Sequence, residues 1–123
     1  MAEDMVILGK AKELAVHSYK ITSNVEHFPK KYRHSLADRI QLKCMDIYDD
    51  LLEANRINNK TNKRERCEKI TNAIKYCDEL EFYIELAKSI LGLKKISVEY
   101  WTKKVSDVKY MAIAWRTAEE KQK

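Results

Sequence analysis

Apolar residues recur along the start of the chain at alternating steps of four and three positions. They are Ile7, Ala11, Leu14, Ile21, Val25 and Phe28, with Ser18 at the same spacing. This periodicity predicts one amphipathic helix over residues 4–28 with a single buried stripe. Pro29, the only proline, lacks a backbone N–H and disfavours helical geometry at the residue before it. We therefore expect a corner between two long helices at Pro29.

The same spacing continues through three further segments. A second helix is predicted over residues 31–56, followed by a polar stretch in which Asn62 and Glu65 resemble a capping arrangement. A third helix is then predicted over 62–91, ending at Gly92. Ser97 is a candidate N-cap for a fourth helix over 98–120.

These four segments predict an all-α fold. The chain has 123 residues, which is the length of one domain, and only two glycines and one proline to make turns. Helices of this length, roughly 40 Å each, favour a four-helix bundle. Because the connections are short, we expect an antiparallel, up-down-up-down order in a single domain over residues 1–123.

The third helix carries more apolar surface than one stripe requires. Beside its main stripe runs a second row, and its members are Tyr76, Leu80, Tyr83, Ala87 and Ile90. Such a wide stripe faces either two neighbouring helices inside the bundle or a second subunit outside it. We therefore take this row as the candidate oligomer interface, with both alternatives open.

Composition indicates a chain without secretion or membrane features. No signal peptide and no apolar run of membrane length occur, and the three cysteines form no CxxC pair. A cytoplasmic location is the expectation, and Cys44, Cys67 and Cys77 are expected to pack as small apolar residues.

No constellation of catalytic residues emerges. The two glycines are far apart, so there is no glycine-rich phosphate loop, and no Glu-x-x-His motif of a di-iron bundle occurs. We expect a protein that is not an enzyme, with no metal, no cofactor and no small-molecule substrate.

Basic residues are unevenly placed, although the formal net charge is only +5. The basic residues group in two segments: Lys30, Lys31, Arg33, Arg39 and Lys43, then Arg56, Lys60, Lys63, Arg64, Arg66 and Lys69. Acidic residues concentrate instead in the later part of the second helix and the middle of the third. In an antiparallel bundle the two groups would lie at opposite ends, where they would contact a nucleic-acid backbone, or a nucleic acid and a protein. The alternative is that these charges only keep a surface soluble.

Four successive segments, FPKKYRHSLADRI, LLEANRINNK, ELEFYIELAKSI and YMAIAW, resemble the Avd family, the accessory variability determinant proteins of diversity-generating retroelements. The Phe28–Pro29 corner with Arg33, and Trp115 near the end, match its pattern. The resemblance runs from about Lys10 to Arg116. It is shared more loosely with four-helix-bundle proteins encoded in ribosomal RNA intervening sequences.

The Avd resemblance implies a four-helix bundle that assembles into a basic homopentameric barrel. In that family the barrel binds the element's reverse transcriptase and nucleic acid. The reverse transcriptase copies a template RNA into mutagenised cDNA during retrohoming, and Avd is a non-catalytic accessory. We therefore expect this chain to bind a reverse transcriptase and RNA or DNA. The alternatives are a protein of the intervening-sequence type and a helical protein–protein adaptor, both without a reverse transcriptase partner.

Overall fold

The protein is built from four long helices. The computed structural model describes residues 2–122, and the side chains of residues 6–122. The helices are α1 (Ala2–Ser23), α2 (Asp38–Arg56), α3 (Asn59–Leu91) and α4 (Lys95–Lys121). A 3₁₀ turn (Lys30–Tyr32) and a π-helical turn (Arg33–Ala37) precede α2. Since no strand occurs within the described range, the expected all-α class is confirmed, and the arrangement is consistent with a four-helix bundle.

One hydrophobic core joins the helices. α1 packs against α2 and α4, and α3 packs against the same two helices. The periodic apolar positions of each helix fill the space between them, and among the fully buried ones are Leu14, Ile40, Ile47, Leu51, Ile70, Leu80, Ile84, Val105 and Val108. Steps of three and four place these side chains on one face of each helix, and their burial is the main favourable term in folding.

A buried hydrogen bond joins α1 to α4 within this core. The indole Nε1 of Trp101 donates a hydrogen bond of 2.9 Å to Oγ of Ser18, and both residues are buried. Phe28 packs edge-on against Trp101, with ring centroids 6.2 Å apart. A buried indole N–H needs an acceptor, which explains why a serine occupies an otherwise apolar position of the α1 stripe.

The first helix ends five residues earlier than the sequence predicts, at Ser23 instead of 28. Asn24 directs the chain into a turn, because its side-chain oxygen accepts a hydrogen bond of 2.9 Å from the backbone N–H of Glu26. Val25, expected in the buried stripe, is consequently 53% exposed. Phe28 still enters the core, and Pro29 marks the start of the turns that lead into α2.

The predicted starts of the second, third and fourth helices also shift. α2 begins at Asp38 instead of 31, because the 3₁₀ and π-helical turns come first. α3 begins at Asn59, where the side chain of Asn58 accepts a hydrogen bond of 2.8 Å from the backbone N–H of Lys60. Asn62 is not the cap but a local break in the helix, with φ −135° and ψ 43°. α4 begins at Lys95, so Ser97 lies inside its first turn. Gly92 ends α3 in the left-handed conformation, with φ 65°, as predicted.

The second apolar row of α3 is divided between the core and the surface. Leu80 and Ala87 are fully buried within this chain, so their assignment to an oligomer interface is wrong. The physical reason is that α3 packs against both α2 and α4, and the wide stripe fills both contacts. Tyr76 and Tyr83 are half-buried, and Ile90 is 48% exposed.

The two glycines give a matched test of this backbone geometry. Gly92→Ala places a Cβ on a left-handed residue and should lower the free energy of unfolding by about 1–2 kcal/mol. Gly9→Ala changes a helical residue whose new Cβ meets nothing within 4 Å, and should raise the free energy of unfolding by about 0.5–1 kcal/mol. Urea denaturation of both variants measures the difference, and shifts of equal sign would contradict the assigned conformations.

Candidate nucleic-acid interface

The first basic group lies at the turns between α1 and α2. We call it the corner cluster, and it consists of Lys30, Lys31, Arg33 and Arg39, all exposed. Pro29, with φ −54° and ψ 149°, starts the 3₁₀ turn that carries the two lysines outward. None of the four forms an ion pair with any side chain that the structure describes.

A small cavity of about 220 Å³ opens beside the corner cluster. Lys30 and Arg33 line it from the turns, and its polar lining also includes Thr22, Ser23 and Gln41. Nε2 of Gln41 donates a hydrogen bond of 2.9 Å to the Thr22 hydroxyl, which itself donates to the carbonyl oxygen of Ser18 at 2.8 Å. These bonds tie α2 to the end of α1 and hold the turns, and therefore their basic side chains, in place.

The second basic group lies where α2 passes into α3. We call it the loop cluster, and it consists of Arg56, Lys60, Lys63 and Arg64. Lys63 reaches across to the end of α4, where its ammonium donates to the carbonyl oxygens of Glu120, at 3.0 Å, and Gln122. Arg64 contacts Glu68 at 3.3 Å but remains 94% exposed, so this ion pair leaves its charge in solvent.

A groove of about 780 Å³ runs between α3 and α4 next to the loop cluster. Lys63 and Arg64 line it from α3, and Arg116 lines it from α4. The guanidinium of Arg116 donates a hydrogen bond of 3.2 Å to the Thr71 hydroxyl. Arg116 was not assigned to a site from sequence, because it follows the loop cluster by some fifty residues and only the packing of α4 on α3 brings them together.

Arg66 is a structural residue and not part of the interface. It is buried, and its guanidinium contacts the carboxylate of Glu119 at 2.9 Å and the carbonyl oxygen of Ile57 at 2.8 Å. It also lies over the ring of Trp115, whose Nε1 donates to Glu119 at 2.9 Å. Its assignment to nucleic-acid binding is therefore wrong, since a phosphate has no access to it.

Lys43 also does not belong to the candidate nucleic-acid interface. Its ammonium lies 2.7 Å from the carboxylate of Glu79 on α3 and 4.7 Å from the ring centroid of Tyr76. Burial is the largest single effect and lowers the pKa of Lys43, but the hydrogen bond and charge of Glu79, together with the charges of Tyr83 and Asp46, outweigh it, so the pKa is raised. The residue therefore joins α2 to α3 as a charged pair, and its side chain is only 16% exposed.

Lys69 is partly neutralised by an acid of the neighbouring helix. It is half-buried on α3, and its charge acts on Asp50 of α2. Burial raises the pKa of Asp50, while Lys69 and a hydrogen bond from Asn72 oppose that rise. We therefore place Lys69 at the margin of the loop cluster.

The two clusters are well separated. α2 contains 19 residues, so the corner cluster and the loop cluster lie about 28 Å apart along its axis. Some acids between them are paired, as in the contacts of Lys43 with Glu79 and of Lys109 with Asp78 at 2.6 Å, whereas Asp49, Glu53 and Glu81 form no ion pair with a described side chain. The surface thus carries two groups of basic side chains with a region between them in which acids are only partly compensated.

A third concentration of basic side chains was missed from the sequence. It lies between α1 and α4 and brings Lys12 and Lys20 together with Lys104. These residues are dispersed in the sequence, and only the contact of the first helix with the last creates the groove.

The cysteine thiols offer no reactive group in the core. Burial raises the pKa of Cys44 to about 11 and that of Cys77 to about 12, so both stay protonated and apolar. Their predicted packing in the core is confirmed, while Cys67 is half-buried on the α3–α4 groove. Within the described part of the chain, no group of three or more His, Cys, Asp or Glu residues is arranged to hold a metal ion.

Comparison with known proteins supports the fold. A protein of unknown function from the S23 ribosomal protein family of Bacteroides thetaiotaomicron is similar in structure, with a TM-score of 0.78 over 94% of this chain and 98% of its own. The two sequences are 19% identical, so this likeness concerns the fold alone. No protein-family model matches the chain, and no curated protein is significantly similar to it. The finding is compatible with the wider family that includes intervening-sequence proteins, while the narrower resemblance to Avd stays a prediction.

None of the helices, in the residues that the structure describes, has the length and apolar character needed to cross a membrane.

The environments of Arg64 and Arg66 predict opposite outcomes for the same substitution. Arg66→Ala leaves Glu119 buried without its cation and should reduce the free energy of unfolding by about 3–5 kcal/mol. Arg66→Lys should restore little, because a lysine does not reproduce the forked contacts to Glu119 and Ile57. Arg64→Ala should leave stability nearly unchanged. Thermal and urea denaturation measure all three, and equal effects at both positions would contradict the buried assignment.

Proposed function

We propose that the protein is a non-catalytic nucleic-acid-binding scaffold of the Avd kind, an accessory to the reverse transcriptase of a diversity-generating retroelement. The observation that carries this proposal is a pair of basic clusters, exposed apart from the half-buried Lys63, each free of carboxylate partners or only weakly paired, about 28 Å apart on one chain. Exposed lysines and arginines release counterions from a phosphate backbone when they neutralise it. Among the acids between the clusters, Glu79 and Asp78 are paired with lysines, which reduces their opposition to this binding.

The proposal includes an antiparallel order of the four helices. Two contacts support it. Ser18, near the end of α1, meets Trp101, near the start of α4. Arg66, near the start of α3, meets Glu119, near the end of α4. In this order the corner cluster and the loop cluster lie at opposite ends of the bundle.

The proposal also includes assembly into a homo-oligomer, with the pentamer of the Avd resemblance as the expected form. Because Leu80 and Ala87 are buried in the core, they cannot contribute to assembly. The surface that supports assembly is instead a stripe of α3 formed by Phe82, Tyr83, Leu86 and Ile90. Phe82 is 61% exposed and Ile90 is 48% exposed, at the i, i+4 and i+8 spacing that puts Phe82, Leu86 and Ile90 on one face. Assembly would repeat both basic clusters around a ring and convert weak single contacts into avid ones.

A second candidate function is that of a protein of the intervening-sequence type, which acts without a reverse transcriptase. The S23 ribosomal protein family relative, itself of unknown function, shares the fold over nearly its whole length, so the fold suits this function as well as the first. Both functions share the basic surfaces, and they differ in the partner protein. Co-purification with a reverse transcriptase from the same cells would favour the first function. Its failure at low salt, with RNA binding intact, would favour the second.

Neutralising the corner cluster should weaken nucleic-acid binding. The triple variant Lys30→Gln, Lys31→Gln, Arg33→Gln removes three exposed charges, so we expect at least a 10-fold loss of affinity for a structured RNA at low salt. The slope of log affinity against log salt should fall by about 2, since each single-strand phosphate contact contributes about 0.7. Fluorescence anisotropy at several salt concentrations measures both quantities.

A matched control removes the same charge elsewhere. Lys75→Gln, Lys88→Gln, Lys95→Gln changes three lysines outside the clusters and the grooves. It should leave the salt slope close to that of the unchanged protein. If both triple variants lose affinity equally, net charge and not the corner cluster determines binding, and the assignment of the site is overturned.

The oligomer is tested separately by a single charge on the α3 stripe. Phe82→Glu should dissociate the assembly, because it places a carboxylate at the centre of an apolar contact. Ile96→Glu is the control, since Ile96 is 75% exposed on α4 and outside the stripe. Native mass spectrometry should give about five times 14.5 kDa for the unchanged protein and the control. A monomer in the unchanged protein would contradict the assembly.

A further inference from the structure

A groove of about 600 Å³ separates the outer faces of α1 and α4. Lys12, Val16, His17 and Lys20 line it from α1, with Gly9 and Glu13, and Tyr100 and Lys104 line it from α4. Its volume falls within the range of small-molecule and cofactor sites. We call it the lysine groove. It is distinct from the corner cluster and the loop cluster, because none of their residues lines it.

The charge of the lysine groove is not compensated. Lys12, Lys20 and Lys104 form no ion pair with the side chains of residues 6–122, whereas Lys95, Lys103 and Lys109 on α4 each have a carboxylate partner. The one acid of the groove, Glu13, lies 3.6 Å from the ammonium of Lys10 and is thereby shared with a cation outside the groove. Three ammonium groups without a carboxylate partner therefore line two facing helices, and a bound anion would compensate their charge.

His17 reports the same positive potential. Burial, followed by the charges of Lys104 and Lys20, lowers the pKa of His17. The imidazole is therefore neutral near pH 7, and its ring packs edge-on against Tyr100 with centroids 5.2 Å apart. Because the imidazole is neutral, the charge of the groove comes from the lysines alone.

An exposed aromatic ring stands among these lysines. Tyr100 is 58% exposed, although its neighbour Trp101 is buried in the core. The ammonium of Lys104 lies 4.8 Å from the Tyr100 ring centroid, and together with His17 it holds the ring at the groove. An ordered, solvent-facing aromatic ring bordered by lysines is the combination with which proteins stack single-stranded bases while neutralising the adjacent phosphates.

We infer that the lysine groove is a binding site for single-stranded nucleic acid, in which Lys12, Lys20 and Lys104 contact successive phosphates and Tyr100 stacks on a base. Lys12 and Lys20 are eight positions apart on α1, or about 12 Å along its axis. This spacing suits a chain of charges and not a single small anion, which could not contact Lys12 and Lys20 at the same time. An acidic peptide would satisfy the lysines but offers no planar base to Tyr100.

The inference rests on the proposed nucleic-acid function and adds to it a site that prefers single-stranded to double-stranded nucleic acid. The experiment therefore compares a fluorescent oligouridylate of about 20 nucleotides with an RNA duplex of the same length. Two variants probe the groove: the triple substitution Lys12→Gln, Lys20→Gln, Lys104→Gln, and the single substitution Tyr100→Ala. The control is the triple variant at Lys75, Lys88 and Lys95 already described. Lys12, Lys20 and Tyr100 are exposed and Lys104 is half-buried, and circular dichroism checks that each variant is folded.

The groove triple variant should bind the oligouridylate at least 10-fold more weakly at about 50 mM salt, with a salt slope lower by about 2. Tyr100→Ala should weaken single-strand binding by about 5-fold or more and leave duplex binding within about 2-fold, since a paired base is not available for stacking. The control should retain both affinities. Loss of single-strand preference in Tyr100→Ala is the decisive reading, because a mere loss of charge would not produce it.

Three outcomes would overturn the inference, and they differ in what they imply for the proposed function. If the groove variants bind as the unchanged protein does while the corner-cluster variant loses affinity, the groove is not a site and the proposed function stands. If the unchanged protein binds neither RNA, both fail. If polyglutamate displaces the oligouridylate at equal charge and Tyr100→Ala has no effect, the groove takes an acidic protein segment instead.

Discussion

The buried pairing of Arg66 with Glu119 holds the loop cluster in place. A charge in the core is tolerated only when it is paired, and Arg66 meets a carboxylate, a backbone carbonyl and the face of Trp115. These contacts come from α3, the connection after α2, and the end of α4. They therefore fix three segments relative to one another. The residues of the loop cluster lie on or next to these segments. Arg66 thus anchors the start of α3 in the core, and the basic side chains of the loop cluster extend from that anchored segment.

Basic residues of one chemical kind thus serve opposite purposes in this protein. Arg64 and Arg66 are two positions apart, and successive positions of a helix point in different directions, so one faces solvent and the other the core. Lys43 and Arg39 differ for another reason: they are four positions apart on the same face of α2, but Glu79 of α3 pairs with Lys43, whereas Arg39 is exposed. Whether a cation is available to a ligand depends on which face of the helix it occupies and on whether an acid from the next helix reaches it.

The sequence predicts the helices and their buried faces well, because the spacing of apolar residues directly encodes which side of a helix is covered. Helix ends are predicted less well. They depend on local competition between backbone and side-chain hydrogen bonds, as at Asn24, and several polar residues in a row offer equivalent caps, as at Asn58 and Asn62. The burial of Arg66 and the convergence of Lys12 with Lys104 are tertiary facts. No local pattern announces them, since their partners are dozens of residues away.

The separation of the basic surfaces determines how they would cooperate. At physiological ionic strength charges are screened beyond about 8–10 Å, whereas the corner cluster and the loop cluster are about 28 Å apart along α2. They therefore cannot act through a common long-range field, and the modest net charge of +5 understates each of them. Cooperation requires a ligand long enough to touch two surfaces at once. A polyanion has that length, and each contact it makes raises the effective concentration of its next phosphates at a neighbouring surface. This distribution of charge should therefore make affinity depend on the length of the polyanion more than on the strength of its contact with any one surface.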